Sequence, residues 1–303
     1  MTYDAVVVGG SFAGLSGAMM LARARRSVLV LDAGRRRNRF AAHAHGVLAL
    51  DGVPGAEIAA TASAQLGRYP TVTQIAATVV SIEGQDGAFV VRDDAGGVFL
   101  GRKVLLATGV SDELPGIPGT AERWGRSVFH CPYCHGYEVG GGGIGVLATG
   151  AASFRQAVSV ADWGEVTYFA AGWSGLDAGQ RDVLRRRRIA IDRREVMSLE
   201  GSLDGPVRLR LADGNTVTVR ALFLMPRQWP SPLAVSLGLA MEETPHGLLI
   251  RTDAAKLTSV PGIYAAGDTA RLPTNVTLAA ADGVLAGAGL HAALIEDALT
   301  QNA

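Results

Sequence analysis

Both cysteines of this 303-residue chain fall in one decapeptide, FHCPYCHGYE, at residues 129–138. Cys131 and Cys134 stand at the spacing that lets two thiols exchange with a disulfide, attach a haem in a CxxCH pattern, or supply half of a zinc site. A fourth chemistry is a redox dithiol working beside a bound cofactor, where one thiol exchanges with a substrate sulfur and the other with the cofactor. The thiolate is the reactive form, so a nearby base matters. His135 follows the second cysteine directly, and an imidazole near its ordinary pKa takes a thiol proton and returns it. The bland alternative is that His135 caps a turn. A zinc site would need two histidines besides the cysteines, and the other five are scattered at 43, 45, 130, 246 and 291.

Composition bounds the fold that must carry these residues. The chain is 48% hydrophobic and 18% charged with 39 glycines, which suits an α/β enzyme of about two domains with tight turns. Lys plus Arg and Asp plus Glu balance at 28 each, so no gross field draws nucleic acid or an anionic membrane. The run from Arg185 to Arg188 reads as a solvated helix face. No stretch approaches 18 uninterrupted apolar residues, and no membrane span is expected. The N-terminus, MTYDAVVVGG, enters a strand pattern with no basic n-region, so the expected location is the cytoplasm. Two cysteines build no disulfide framework; a close pair in such a chain is redox-active or metal-binding.

Two segments have the strand–glycine turn–helix rhythm of a nucleotide-binding βαβ unit. In the first, an apolar strand over residues 5–8 meets a turn of small residues, a helix runs to about Arg25, and a second strand over 28–31 ends in Asp32 and Ala33. Gly9 and Gly14 take the first and third fingerprint positions; Ser11, preceded by Gly10 and followed by Phe12 and Ala13, replaces the middle glycine. Serine is small and can donate to phosphate, at the expected cost of some strain. Asp32 lies 18 residues beyond Gly14, where a carboxylate accepts from a ribose hydroxyl. The second unit spans residues 142–172. Hairpins are expected around DDAGG and ADGN, linkers at 113–119 and 225–232, and a small-residue helix near the C-terminus.

Two apolar strands also end in glycine: LLATG at Gly109 and GIYAAGD at Gly267 and Asp268. With the first glycine turn and Asp32, these pieces make the chain resemble the low-molecular-weight thioredoxin reductases over almost its whole length. The resemblance implies an α/β chain of two Rossmann-like nucleotide-binding domains of the three-layer ββα type, the second inserted into the first. Residues 1–116 and 231–303 would form an FAD-binding domain, and 117–230 the inserted domain carrying the cysteines. It also implies that Asp268 holds the ribityl or pyrophosphate side of FAD, that the helix beginning near Val276 and Thr277 points at the isoalloxazine, and that the chain is a homodimer. In that frame a glutaredoxin motif comes too late in the chain, and haem attachment lacks an exported apoprotein. By family position Cys131 is the exchanging thiol and Cys134 the flavin-facing one. Where the reductases carry an aspartate, this chain has His135. CPYCHGYE, with NRFAAHAHGVLALDG at 38–52, resembles the FAD-dependent dithiol oxidases of the gliotoxin, holomycin and romidepsin pathways. That likeness places His43 and His45 near the flavin, with core or surface positions as the alternative.

The second glycine turn departs from the reductases. Ala148, Gly150 and Ser153 occupy the fingerprint positions, and a positive φ at Ala148 would be strained. After the strand, AGWSGL brings no arginine or lysine before Arg181, so a 2′-phosphate meets no basic cluster. The expectation is an FAD-dependent dithiol oxidase that closes a disulfide in a small molecule and passes electrons to O2, releasing H2O2. The alternatives are an NADPH-dependent disulfide reductase and a flavin-binding redox sensor that does not turn over.

Overall fold

The computed structural model describes residues 1–170 and 175–301. The chain opens with β1 (Thr2–Val8), α1 (Phe12–Arg23) and β2 (Val28–Asp32). A 3-10 turn, Arg37–Phe40, precedes α2 (Gly55–Leu66), β3 (Val72–Ala76), β4 (Val79–Gln85), β5 (Ala88–Asp93) and β6 (Val98–Leu106). Next come β7 (Val110–Glu113), α3 (Thr120–Arg123), β8 (Val128–Phe129), α4 (Pro132–Val139) and β9 (Gly143–Leu147). They are followed by α5 (Ala152–Val160), β10 (Glu165–Phe169), α6 (Ala178–Arg186) and β11 (Ala190–Asp192). The antiparallel trio β12 (Val196–Glu200), β13 (Val207–Leu211) and β14 (Thr216–Val219) leads into β15 (Ala221–Leu224) and β16 (Arg227–Pro230). The last elements are α7 (Pro232–Ser236), β17 (Met241–Thr244), β18 (Gly247–Ile250), β19 (Ile263–Ala265) and α8 (Val276–Gln301).

These elements form two compact units: Met1–Arg37, Gly55–Ser111 and Trp229–Ala303 make one, Asn38–Pro54 and Asp112–Gln228 the other. The chain crosses between them within β7 and β16; β16 lies inside the segment read as the second linker, while β7 ends at Glu113, where the first one begins. The stretch 38–54, which carries His43 and His45, groups with the second unit rather than with the strands it follows in sequence.

In the first unit the sheet runs β3-β2-β1-β6-β5-β4, with β19 also paired to β6. β1, β2, β3, β6 and β19 are parallel; β4, β5 and the start of β6 are an antiparallel meander. The sequence suggests separate strands at 98–100 and at KVLLATG, but β6 is one strand of 9 residues running through Gly101. Its first half completes the hairpin with β5, and its second half lies between β1 and β19.

The two-residue period of a strand explains the layers. Ala5, Val7, Val28, Val30 and Leu105 face one core with α1 and α8; Val6, Val8, Leu29, Leu31, Val104 and Leu106 face another with Ile82, Phe89 and Val91 of the meander. Continuous apolar runs are what a sheet covered on both faces requires. The second unit repeats the scheme with the parallel sheet β11-β10-β9-β15-β8 and the three-stranded β12-β13-β14. Ile144 and Val146 pack with residues of α5 and α6, while Leu147, Leu222 and Leu224 pack with the trio.

α8 is long and apolar enough by composition to cross a membrane, yet it supplies Ala279, Ala286, Leu290 and Leu294 to the first core. It meets α1 through residues without side chains: a Cβ on Gly283 would stand 2.0 Å from the carbonyl oxygen of Ala13, and one on Gly287 2.6 Å from that of Gly17. That close crossing brings the start of α8 beside the first glycine turn.

Candidate active site

The first turn is built by exclusion of side chains. Gly9 sits at φ +106°, and a Cβ there would lie 2.3 Å from the carbonyl oxygen of Ala107. Gly14 packs so that a Cβ would stand 1.8 Å from the Gly9 carbonyl oxygen, and one on Gly10 would meet Asp32 at 2.7 Å. Ser11 is the N-cap of α1 in an extended conformation (φ −101°, ψ −162°). Its hydroxyl caps no main-chain N–H of the helix, and its carbonyl accepts from Leu15 N–H at 2.8 Å. The first-turn N–H groups of α1 have no partners within the helix, and an anion suits them. Beyond the turn lies a cavity of about 600 Å³ lined by Gly10, Asp32, Ala33, Gly34 and Ala77, among others.

In the same unit, Gly109 (φ +64°) and Gly267 (φ +79°) follow β6 and β19 in left-handed turns. Gly267 also approaches α1, where a Cβ would stand 2.8 Å from that of Ala13. Asp268 is paired with Arg37, whose guanidinium donates to it at 2.9 Å and to Thr274 Oγ1 at 3.0 Å. Asn275 caps α8, its Oδ1 accepting from Leu278 N–H at 2.7 Å, one residue before Val276 and Thr277. Asp282, 1% exposed, accepts from Gly267 N–H at 2.9 Å and pairs with Lys256 at 2.5 Å and Arg271 at 3.5 Å. Arg37, Asn275 and Asp282 escaped the sequence reading. The one available signal was Asp282 itself, the sole acid among the small and apolar residues 278–290 of α8.

In the second unit, Cys131 and Cys134 are joined in a disulfide, with Cα atoms 5.3 Å apart. Cys131 is the N-cap of α4 and Pro132 opens the helix, where a missing N–H costs nothing. A helix N-terminus favours thiolate. Gly136 is fixed by Trp163, whose ring a Cβ would meet at 2.8 Å, and Tyr133 stands edge-on to that indole at 5.4 Å. His135 stacks on Phe129 with ring centroids 4.1 Å apart.

Neither nitrogen of His135 has a well-formed hydrogen bond. Burial, with the charge of His45 second, holds its pKa down to about 4, and the main chain of Cys131 pulls the other way. The imidazole is therefore neutral at pH 7, a proton acceptor in waiting. His45 Nδ1 lies 3.5 Å from Glu138 and 3.7 Å from Asp51, and its ring is 6.3 Å from that of His43. The structure thus gathers His43, His45, His135 and Glu138 around one cavity. Glu138, three residues after His135 on α4, is a group that helical spacing could have revealed.

The second glycine turn is closed from within. Ser153, fully buried, accepts from Thr149 N–H at 2.9 Å, and the Thr149 hydroxyl donates to Met225 O at 2.6 Å. Ala148 is not in a positive-φ conformation, so the strain expected there is absent. Of AGWSGL, residues 171–174 lie outside the described residues. Arg181 donates to Leu176 O; Arg185 and Arg186 pair with Asp182, and Arg187 with Asp162.

A family model described as pyridine nucleotide-disulphide oxidoreductase matches residues 3–283. The chain is 36% identical to "Thioredoxin reductase tcpT" of Claviceps purpurea over 309 residues, covering 97% of this chain and 95% of that protein. Among solved structures, an oxidoreductase from Agrobacterium tumefaciens superposes with a TM-score of 0.93 at 42% identity, covering 97% of this chain and 99% of that one. The crystal structure of HlmI superposes at 0.92 with 35% identity, covering 99% and 95%. The match of the family model across both units, together with a cysteine pair in disulfide form at the head of α4, places the chain among the pyridine nucleotide-disulphide oxidoreductases, as a thioredoxin-reductase-like thiol–disulfide oxidoreductase.

Proposed function

We propose that the chain is an FAD-dependent dithiol oxidase that closes a disulfide in a small molecule. The first unit fits FAD: Gly9, Gly10 and Gly14 leave backbone room for a pyrophosphate, the Ser11 hydroxyl caps no helix N–H and so could donate to it, and Asp32 with Ala33 borders the cavity for a ribose. Gly109, Gly267, Asp268, Val276 and Thr277 would hold the other half. When bound, FAD supplies a two-electron acceptor that O2 reoxidises with release of H2O2.

The protein's own chemistry is exchange at sulfur. One substrate thiolate attacks Cys131 Sγ, breaking the Cys131–Cys134 bond and forming a mixed disulfide while Cys134 leaves as thiolate. The second substrate thiolate then attacks the substrate sulfur of that mixed disulfide. The product disulfide forms, Cys131 leaves as thiolate, and two electrons now reside on the cysteine pair. Two thiol protons are released along the way, and neutral His135 takes one of them; the thiolate beside it stabilises the imidazolium.

The observation that carries oxidase over reductase is the Ser153–Thr149 contact. It uses internally an N–H that a bound pyrophosphate would otherwise recruit. A second reading, favoured by the names of the curated relatives, is an NADPH-dependent disulfide reductase. Anaerobic absorbance of the flavin separates the two. The oxidase predicts bleaching by a small dithiol, reversal by air with peroxide released, and indifference to NADPH. Prompt bleaching by NADPH would make the chain a reductase.

A further inference from the structure

The helix that follows the second glycine turn reaches the chain beside the cysteines. The buried residues of α5 are Ser153, Gln156, Ala157 and Val160. Ala157 and Val160 belong to the apolar core of the second unit, and Ser153 closes the turn at Thr149. Gln156 lies three residues beyond Ser153, on the same face of the helix. It is 5% exposed, and its Nε2 donates to the main-chain oxygen of His130 at 2.8 Å. His130 directly precedes Cys131.

This amide is buried at a cost. Glutamine brings two N–H donors and a carbonyl acceptor, and shutting them from water is unfavourable unless their hydrogen bonds are made. Gln156 Oε1 is buried and has no partner among the described residues. An apolar side chain beside Ala157 would avoid that loss, so what Gln156 adds is its bond to His130. The His130 ring is held too, stacked on buried Trp124 with centroids 5.7 Å apart. Cys134 lies within α4, but Cys131 is the N-cap, outside the helix and in an extended conformation (φ −101°, ψ 110°). The clamp on His130 therefore falls on the side of Cys131 that α4 does not hold.

We infer that Gln156 is a positioning residue for the redox pair: by holding the His130 carbonyl it keeps Cys131 where its sulfur closes on that of Cys134. Two sulfurs held in this way meet at a high effective concentration, which favours the disulfide over the dithiol. Without the bond, Cys131 moves more freely, the disulfide is less favoured, and the pair becomes easier to reduce. The inference concerns the cysteine pair alone. It holds whether electrons enter from a dithiol or leave to one, and so does not depend on the oxidase reading.

The test is a redox equilibrium, read without turnover. Flavin-loaded protein is equilibrated under argon in glutathione buffers, where the disulfide and two reduced glutathiones give the dithiol and one oxidised glutathione. Acid quenching, alkylation and mass measurement then count the thiols of this pair directly, because the chain has no other cysteine. Gln156→Met keeps the length of the side chain and lacks the donor. Gln156→Glu keeps the shape and sets a carboxylate against the His130 carbonyl. Each should lower the ratio of squared reduced to oxidised glutathione at half-reduction by about ten-fold, a potential about 30 mV less negative. Ser153→Ala, which breaks the neighbouring contact to Thr149 instead, should leave that ratio within about two-fold of the wild type. Thermal melting and dithionite bleaching check fold and flavin, and where one Gln156 variant fails to fold the other carries the test. A ratio that is unchanged or raised in the folded Gln156 variants would overturn the assignment. So would an equal fall in Ser153→Ala, which would mean only that α5 had loosened.

Discussion

His135 shows how one residue's environment sets its use. On the chain it is an imidazole beside a cysteine, of ordinary pKa. In the fold it is stacked on Phe129 and shut away from water, which lowers its pKa to about 4. A group with that value is unprotonated from acid pH upward, so the His135 limb of the dithiol reaction should lie near pH 4 and not near 6.5. His135→Asn should slow anaerobic flavin bleaching by a dithiol about 10²-fold or more, leave dithionite bleaching unchanged and abolish that acid limb. Stopped-flow absorbance across pH 4 to 8 measures all three. Cys131→Ser removes the sulfur proposed to receive the substrate, and bleaching by dithiols should then fall to the uncatalysed rate in the same assay.

At the level of elements, α8 positions the edge of the first site through Asp282 and two glycines. Asp282 fixes the Gly267 turn and neutralises Lys256 and Arg271 while fully buried. Removing one partner of such a group strands the others, at a cost of about 3–5 kcal/mol. Asp282→Asn should therefore lower the thermal midpoint and release flavin on gel filtration, read as a fall in the ratio of visible to 280 nm absorbance. Gly283→Ala should do the same by forcing α8 from α1, since its Cβ has no room at 2.0 Å from the Ala13 carbonyl. α4 depends likewise on Gly136: an alanine there presses on Trp163 and should cost about 1–3 kcal/mol by overpacking. A strand, a glycine and a helix in sequence were enough to find the turns, because each is local. The merger of two strands into β6 was not legible, because Gly101 reads as punctuation until neighbouring strands pair on both sides of it.

For the whole molecule, His135, half-buried with both ring nitrogens shielded, links stability to pH. Between pH 6.5 and about 4 the unfolded chain binds a proton at this histidine that the native state does not. Stability therefore rises with pH through that window and is fully present above it. The contribution approaches about 1.4 kcal/mol per pH unit at full proton difference. Urea unfolding at pH 4.5, 5.5 and 6.5 should show this slope in the wild type and a shallower one in His135→Asn.

What the chain determined by itself was everything whose cause lies within a few residues: the CxxCH spacing, the glycine turn with Asp32, the alternating apolar strands, and the departure of the second turn from a nucleotide fingerprint. Tertiary structure decided the rest. Arg37 meets Asp268 across 231 residues of chain, Arg126 meets Asp204 across 78, and the loop bearing His43 and His45 joins α4 rather than its own preceding strand. Ser153 could be read as a worn glycine, but only its burial against Thr149 shows the turn closed. Charge pairing, burial and cavity shape depend on groups brought together by packing of the whole core, and no local spacing encodes them.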